Sequence, residues 1–357
     1  MNIRITLIIL LLKGTIMFAN GGMYRNISVV NDTIKLNGRY EKLQNSVVFG
    51  YPGTGISIRT DAKTLVLNCK DKGTNFLQII VNDKVHSVLQ LKSSTVAYMI
   101  KLEEGIKNIV IIKRTETEFG NIEIFGISVN KEAKLYEYPN SSVKFMFIGN
   151  SITCGYGNEA VSEKSPYEAK TENSYLSYAS MVGRRFGAET HLVAYSGRGI
   201  VRNWAQIPPF RETMNDLFQR ALANDTTSTW NHGLFVPQYI FINLGTNDTS
   251  PGYDIEKDYF IAGYKKMLNQ LFLLYPESKV VMLVSQMLEP DKRELVNSWL
   301  SEIKSDLNKP ELYLFELSKQ DGSLGFGADY HPSIKQNEKN ALELELLLQN
   351  LWTEVRT

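Results

Sequence analysis

Val143-Lys-Phe-Met-Phe-Ile148, followed at once by Gly149-Asn150-Ser151-Ile152-Thr153-Cys154-Gly155-Tyr156-Gly157, is the stretch on which the fold turns. Its first half is almost continuously apolar, so it reads as a strand covered on both faces rather than a half-exposed one. The glycines and small polar residues behind it end the strand in a turn and open a helix. Four similar runs follow: His191-Leu-Val-Ala194, Tyr239-Ile-Phe-Ile-Asn243, Val280-Val-Met-Leu-Val284 and Leu312-Tyr-Leu-Phe315. Helical stretches lie between them, over residues 175–186, 258–274 and 291–307. A last one, over residues 335–352, carries Leu342, Leu344, Leu346, Leu347 and Leu351 and is expected to cover one face of the sheet. Five buried strands alternating with helices predict a doubly wound α/β domain with a five-stranded parallel sheet, over residues 143–355.

Upstream the period changes. Residues 23–138 hold short segments rich in β-branched residues, among them Ser46-Val-Val-Phe-Gly-Tyr51, Gly55-Ile-Ser-Ile-Arg59 and Thr64-Leu-Val-Leu67. Runs over residues 76–81 and 85–91 flank Asn82-Asp83-Lys84, a hairpin signal. Further runs over 96–102, 108–113 and 122–129 keep the same spacing. At least seven short strands without a helical period predict an antiparallel jelly-roll sandwich. The chain between the two domains, residues 137–142, is too short and too poor in Gly, Ser and Pro to be a free tether. At the front, Arg4, an apolar run from Ile5 to Leu12 and small residues at Ala19, Asn20, Gly21 and Gly22 have the order of a secretory signal peptide. Residues 1–20 are therefore expected to be a leader and the mature protein to be secreted or periplasmic. The run is too short to span a bilayer, which takes about 20 residues, and no lipobox cysteine marks a membrane anchor.

The 357 residues carry 39 Lys+Arg against 38 Asp+Glu, and a formal charge of +1 excludes bulk attraction to nucleic acid or anionic membranes. Two cysteines, Cys69 and Cys154, cannot build a disulfide scaffold or a four-cysteine zinc site. The four histidines, His86, His191, His232 and His331, show no metal-ligand spacing, so neither a metal nor another cofactor is expected.

In an open α/β sheet the site lies at the carboxyl ends of the strands. Ser151 follows the first strand, Tyr195-Ser196-Gly197-Arg198-Gly199 the second and Gly245-Thr246-Asn247-Asp248 the third; Gly327-Ala328-Asp329-Tyr330-His331-Pro332 precedes the final helix. Singly, each is a turn or a cap: a serine at a strand–helix junction is more often an N-cap than a nucleophile. Together they supply acyl transfer. His331 can take the proton of the Ser151 hydroxyl. The backbone N–H groups of Ser151 and Gly197 and the amide of Asn247 can face the developing oxyanion. The GxSxG elbow of ordinary α/β hydrolases is absent at both Ser151 and Ser196.

GNSITCGYGN, YSGRG, GTND and DYHP, in this order, resemble the four blocks of the SGNH (GDSL-type) hydrolases. FIGNSITCGYG behind a jelly roll is similar to carbohydrate esterase family 2, and the resemblance covers nearly the whole mature chain. It implies a metal-independent deacetylase acting on acetylated plant polysaccharides such as xylan and glucomannan, or their oligosaccharides. Position by position it implies Ser151 as nucleophile, His331 as base, Gly197 and Asn247 completing the oxyanion hole, and Tyr330 as a sugar-stacking aromatic. Two positions depart from the wider pattern. Asn150 stands where the first block has Asp, and Ala328 stands three residues before the histidine, where the acid of the triad is usual. Asp329 lies two before it, so two arrangements are open: a triad through the Asp329 carboxylate, or a Ser-His dyad whose imidazole is oriented by the Asp329 backbone carbonyl.

Other residues read as follows. Cys154, on the first helical turn after Ser151, is expected to face the core or the site wall. Asp248 reads as a structural acceptor, and His191 and His232 as structural or exposed. Trp204 and Trp230, in long loops, either line a glycan cleft or pack their loops. The competing functions are a non-catalytic carbohydrate-binding protein and a lipase or thioesterase of the same superfamily. No residue selects the sugar, the acetylated hydroxyl or the oligomeric state.

Overall fold

The structure, a computed structural model, describes residues 22–30 and 32–353. The expected leader lies outside them.

The first half is all β. Its strands are β1 (Tyr24–Ser28), β2 (Lys35–Asn37), β3 (Glu41–Lys42), β4 (Val47–Phe49), β5 (Gly55–Thr60) and β6 (Thr64–Gly73), then β7 (Phe76–Val81), β8 (Lys84–Gln90), β9 (Val96–Lys101), β10 (Lys107–Lys113), β11 (Gly120–Asn130) and β12 (Leu135–Tyr136). They form two antiparallel sheets: β3-β4-β11-β6-β9, with β1 also on β11, and β12-β5-β10-β7-β8, with β2 also on β5. This is the expected sandwich. The inner faces follow the two-residue strand period. In the second sheet Ile111 pairs with Ile56 and Ile79, and Ile109 with Ile58 and Val81. Ile56, Ile58, Ile109 and Ile111 are fully buried, each contributing roughly 1.5–3 kcal/mol over exposure. Facing them, β11 buries Ile122 and Ile124 and then Ile127 and Val129. A bulge between Ile124 and Gly126 resets the parity, which keeps both halves of a long strand facing inward. The hairpin lies where the sequence places it, with Asn82 and Asp83 both at positive φ. The strands before Val47 and the short β12 carry too few apolar residues to be read in advance.

The second half has β13 (Lys144–Gly149), α1 (Ser151–Cys154), α2 (Tyr178–Arg185), β14 (Glu189–Ala194), α3 (Met214–Leu217), β15 (Tyr239–Ile242), α4 (Lys257–Leu274), β16 (Lys279–Val284), α5 (Pro290–Leu307), β17 (Leu312–Glu316) and α6 (Ile334–Thr353). The sheet is parallel throughout, in the order β14-β13-β15-β16-β17. It is buried on both faces, as the continuous apolar runs require. Phe145 and Phe147 pack with α2 and α6, whereas Met146 and Ile148 pack with α3, α4 and α5. On α6 the covering residues are Ala341, Leu344, Leu348 and Leu351; Leu342 and Leu346 point outward, so the leucine-rich stripe lies partly on the solvent face. The sheet order reverses at β13, whose chain continues to β14 on one side while β15 lies on the other. The crevice at the carboxyl ends of these strands is the expected position of a site.

The sandwich is fastened to the sheet. The buried Arg39 guanidinium donates to the carbonyls of Phe218 and Arg220, and the Tyr51 hydroxyl donates to the Leu217 carbonyl at 2.9 Å. Near β13, Ser174 N–H donates to the Arg114 carbonyl at 3.0 Å, and Arg114 Nε donates to the Glu172 carbonyl at 2.8 Å.

Candidate active site

β13 ends at Gly149 because the next turn is too tight for a side chain: a Cβ there would stand 2.1 Å from Thr153 Oγ1. Asn150 then caps α1, its Oδ1 accepting from Ile152 N–H at 3.2 Å. The change from Asp therefore keeps the cap. Ser151, only 8% exposed, begins the helix. Its hydroxyl lies 2.8 Å from His331 Nε2.

His331 Nδ1 lies 3.1 Å from the carbonyl oxygen of Ala328. A carbonyl only accepts, so Nδ1 carries the proton and Nε2 is left as the acceptor for the serine. The dyad geometry is present, with the Ala328 carbonyl as the hydrogen-bond acceptor and the Asp329 backbone, the group the sequence suggested, adding a second pull on the ring. The Asp329 carboxylate accepts from the Tyr156 hydroxyl at 2.7 Å. Asp329 and Tyr330 are both at positive φ, and this kink turns the acid away from the ring. Ala328 is completely buried, and a Cβ on Gly157 would stand 2.5 Å from its own. The usual acid position is thus occupied by packing of the fourth block on the first, joined by Ala328 N–H to the Gly157 carbonyl at 3.0 Å. Tyr156 also stacks on the imidazole, with centroids 3.9 Å apart and planes at 21°. Burial pushes His331 down to about 4, against the opposing pull of the Ala328 and Asp329 backbone and the Asp329 charge.

On the other wall, Gly197 sits at φ +74°, and its carbonyl accepts Trp204 N–H at 2.8 Å. Among the described residues no protein acceptor takes the N–H of Gly197 or of Ser151. Asn247 Nδ2 spends one hydrogen on the Arg198 carbonyl at 2.8 Å, leaving its second amide hydrogen to donate. Asp248 is the structural acceptor expected: its carboxylate gathers the N–H groups of Ile200, Val201 and Arg202 at 2.8–3.0 Å. Burial pushes it up to about 6 despite these three bonds.

Trp204 and Tyr330 are 59% and 57% exposed, on loops that leave Gly197 and His331 respectively. Trp230 is core instead, packed edge-on against Tyr40 at 5.5 Å. Cys154 is completely buried, and burial raises its thiol well above the ordinary value, so it stays protonated. His191 is neutral in the core, stacked on Phe235, and His232 bonds the Tyr275 hydroxyl at 2.7 Å. Among the described residues no group of three or more His, Cys, Asp or Glu is placed to hold a metal ion, and no helix is long and apolar enough to cross a membrane. Tyr156, Tyr167 and Glu116 were missed from sequence. Tyr156 lies inside the first block and could have been noticed; Glu116 lies 80 residues from Ser196, the residue it binds, with no motif around it.

A parallel sheet with a serine hydrogen-bonded to a histidine, and glycine-bearing turns directly behind its second and third strands, has the make-up of a GDSL-like hydrolase, and the GDSL-like lipase/acylhydrolase family model matches residues 147–338. The carbohydrate esterase 2 N-terminal model matches residues 36–139. The chain belongs to carbohydrate esterase family 2. It is 30% identical to a family two carbohydrate esterase from Clostridium thermocellum, solved in complex with cellohexaose, with a TM-score of 0.85 over 90% of this chain and 99% of that one. It is 31% identical to the cellulase/esterase CelE of Acetivibrio thermocellus over 90% of this chain, and it spans 40% of CelE's length. An acetylxylan esterase / glucomannan deacetylase of Cellvibrio japonicus is 24% identical over 86% of this chain and 85% of its own.

Proposed function

We propose that the protein is a serine esterase that removes O-acetyl groups from plant cell-wall polysaccharides or oligosaccharides of the acetylxylan and glucomannan type. The 2.8 Å approach of Ser151 Oγ to His331 Nε2 carries this reading, because it joins a nucleophile to a base whose tautomer is set. Ser151 Oγ attacks the acetyl carbonyl as its proton passes to Nε2. The N–H groups of Ser151 and Gly197 and the free amide hydrogen of Asn247 receive the oxyanion. Collapse breaks the bond to the sugar oxygen, which leaves with the proton from Nε2. Water, deprotonated by His331, then attacks the acetyl-enzyme, acetate departs and Ser151 regains its hydrogen. The imidazolium formed in each half is held by the Ala328 carbonyl rather than by a carboxylate.

Trp204 and Tyr330 offer ring faces to the sugar. In this reading the domains are residues 23–138 and 143–355 behind a leader of 1–20, and the enzyme is secreted or periplasmic, meeting its substrate outside the cytoplasm. Acetate release from acetylated xylan and from 4-nitrophenyl acetate, abolished by Ser151→Ala, is the expected result. A purified protein inert on both overturns the enzyme reading and leaves a glycan-binding protein. Preference for octanoyl over acetyl esters would instead make it a lipase.

A further inference from the structure

Glu116 belongs to the sandwich, in the loop that follows β10, yet its fully buried carboxylate bonds groups of the other domain. Oε2 accepts Ser196 N–H at 2.7 Å; Oε1 accepts the Ser196 hydroxyl and, at 2.8 Å, the Tyr167 hydroxyl. Ser196 immediately precedes Gly197. The Gly197 N–H belongs to the planar peptide that joins the two; the clamp on the Ser196 N–H and hydroxyl holds the Cα at one end of that plane and the preceding peptide. The Cα at the other end is held through Trp204 N–H on the Gly197 carbonyl. We propose that Glu116 is a positioning residue for ester hydrolysis, contributed by the sandwich, which orients the Ser196–Gly197 peptide toward the oxyanion; this rests on the acyl-transfer reading above.

The surroundings fit that task. The loop bearing Glu116 is itself pinned: Lys113 Nζ donates to the Thr115 and Glu116 carbonyls at 2.8 and 2.6 Å, and Thr115 Oγ1 donates to Asn75 Oδ1 at 2.6 Å. Asn75 in turn donates to Asp71 and to the Phe119 carbonyl, so the clamp is anchored in β6. Tyr167 touches a second buried carboxylate, Glu172. One hydroxyl proton cannot serve two carboxylates, so one of the pair carries a proton of its own. Burial raises both carboxyls, Glu172 well above the usual carboxylate range; Glu116 gathers three donors while Glu172 Oε1 has no hydrogen-bond partner among the described residues, which places the proton on Glu172. Glu172 then donates to Tyr167, Tyr167 to Glu116, and Glu116 accepts both donors of Ser196. The Tyr167 ring also stacks on Tyr156 at 3.6 Å, and Tyr156 stacks on His331. The carboxylate that holds the oxyanion turn therefore also anchors the column of rings behind the base.

An oxyanion donor acts mainly in the transition state, so its misalignment lowers kcat and leaves KM nearly unchanged. Glu116→Ala removes the clamp, and Glu116→Asp withdraws it by one methylene. Both are expected to lower kcat on 4-nitrophenyl acetate by about 10- to 100-fold, with KM within about 2-fold, and to raise the Ki of phenylboronic acid by a similar factor to the kcat loss. Glu116→Gln should recover most of kcat, because its carbonyl can accept Ser196 N–H while its NH2 donates to the two hydroxyls. Full kcat and unchanged boronate affinity in the Ala or Asp variant, with only thermal stability reduced, would show a mere domain fastener and overturn the proposal. A Gln variant as slow as Ala would overturn the hydrogen-bond account. Should the Ala protein not fold, the Asp and Gln variants decide alone. Absence of turnover in the unaltered protein would overturn the acyl-transfer reading itself; normal turnover there with unimpaired Ala and Asp variants sinks only this one.

Discussion

His331 Nδ1–H donates a hydrogen bond to the carbonyl oxygen of Ala328, 3.1 Å away, while the carboxylate of the neighbouring Asp329 accepts from the hydroxyl of Tyr156. The base of this site is oriented by backbone. A carbonyl fixes the tautomer as well as a carboxylate does, but it carries no full charge to set against the imidazolium.

Substitutions at these positions should therefore be unequal. In the proposed mechanism Ser151→Ala and His331→Ala remove the nucleophile and the base, and each should lower kcat by roughly three orders of magnitude or more. Asp329→Ala keeps the Ala328 carbonyl and loses the bond to Tyr156 and the weak pull of the Asp329 charge on the ring, so a fall of about 10-fold or less is expected. Steady-state kinetics on 4-nitrophenyl acetate compare all three. An Asp329→Ala enzyme as dead as His331→Ala would mean that the carboxylate swings onto the imidazole during turnover.

The pH profile tests the same site from another side. Burial depresses His331 to about 4 from its ordinary 6.5. Catalysis needs the neutral ring, so kcat/KM should rise through about pH 4 and be level by pH 6, where an ordinary histidine would still be titrating. Because its folded pKa is depressed, the neutral His331 ring also contributes stability that is present above pH 6.5 and lost as pH falls through 4. An acid limb centred near 6.5 in kcat/KM would contradict the burial of the ring in the working enzyme.

Installing the usual acid should not help. Ala328 is completely buried with its Cβ packed on Gly157, so a carboxylate there enters a tightly filled core. Ala328→Asp places an uncompensated charge in the core, at a cost of about 3 kcal/mol or more. That corresponds to about 6–12 °C in Tm for a domain of this size, with lower activity rather than higher. Thermal unfolding followed alongside kcat would settle it, a faster and equally stable variant being the contrary result.

Asn247 separates an oxyanion donor from a turn former. Asn247→Ala should lower kcat by about 10²–10³-fold, the usual cost of one oxyanion donor. Asn247→Asp should be at least as slow, since a carboxylate would repel both the oxyanion and the Arg198 carbonyl that Asn247 now binds. A kcat within a few-fold of the unaltered enzyme in both variants would reduce Asn247 to turn chemistry.

What could be read from the sequence was local in origin. The strands of the parallel sheet announce themselves because their runs are nearly continuously apolar, and three of the four motif blocks stand directly behind their strands, the fourth lying before the last helix. Ala328 is visible as a missing acid because it falls inside such a block. The carbonyl that replaces the acid is not, since every residue has one and only the positive-φ kink at Asp329 and Tyr330 shows which is aimed at the ring. Glu116 is hidden for a different reason: its partner Ser196 lies 80 positions away, across a domain boundary. Trp230 illustrates the converse, a loop tryptophan that suits a glycan cleft by composition yet is taken by the core beside Tyr40.

Trp204 and Tyr330 are the surviving candidates for sugar contact, and their exposure makes a definite kinetic signature. A ring face stacked on a pyranose gains apolar contact that a small aryl ester does not need. Trp204→Ala and Tyr330→Ala should therefore raise KM for acetylated xylan or glucomannan oligosaccharides by about 10-fold, as loss of about 1.4 kcal/mol of binding would. Both should leave kcat/KM for 4-nitrophenyl acetate within about 2-fold. The backbone of Trp204 bonds the Gly197 carbonyl, and alanine retains that N–H, so the oxyanion turn survives the change. Equal losses on the aryl ester and the oligosaccharide would place these rings in the support of the turn rather than in the glycan cleft, and would shift the search for sugar contacts to the rest of the rim.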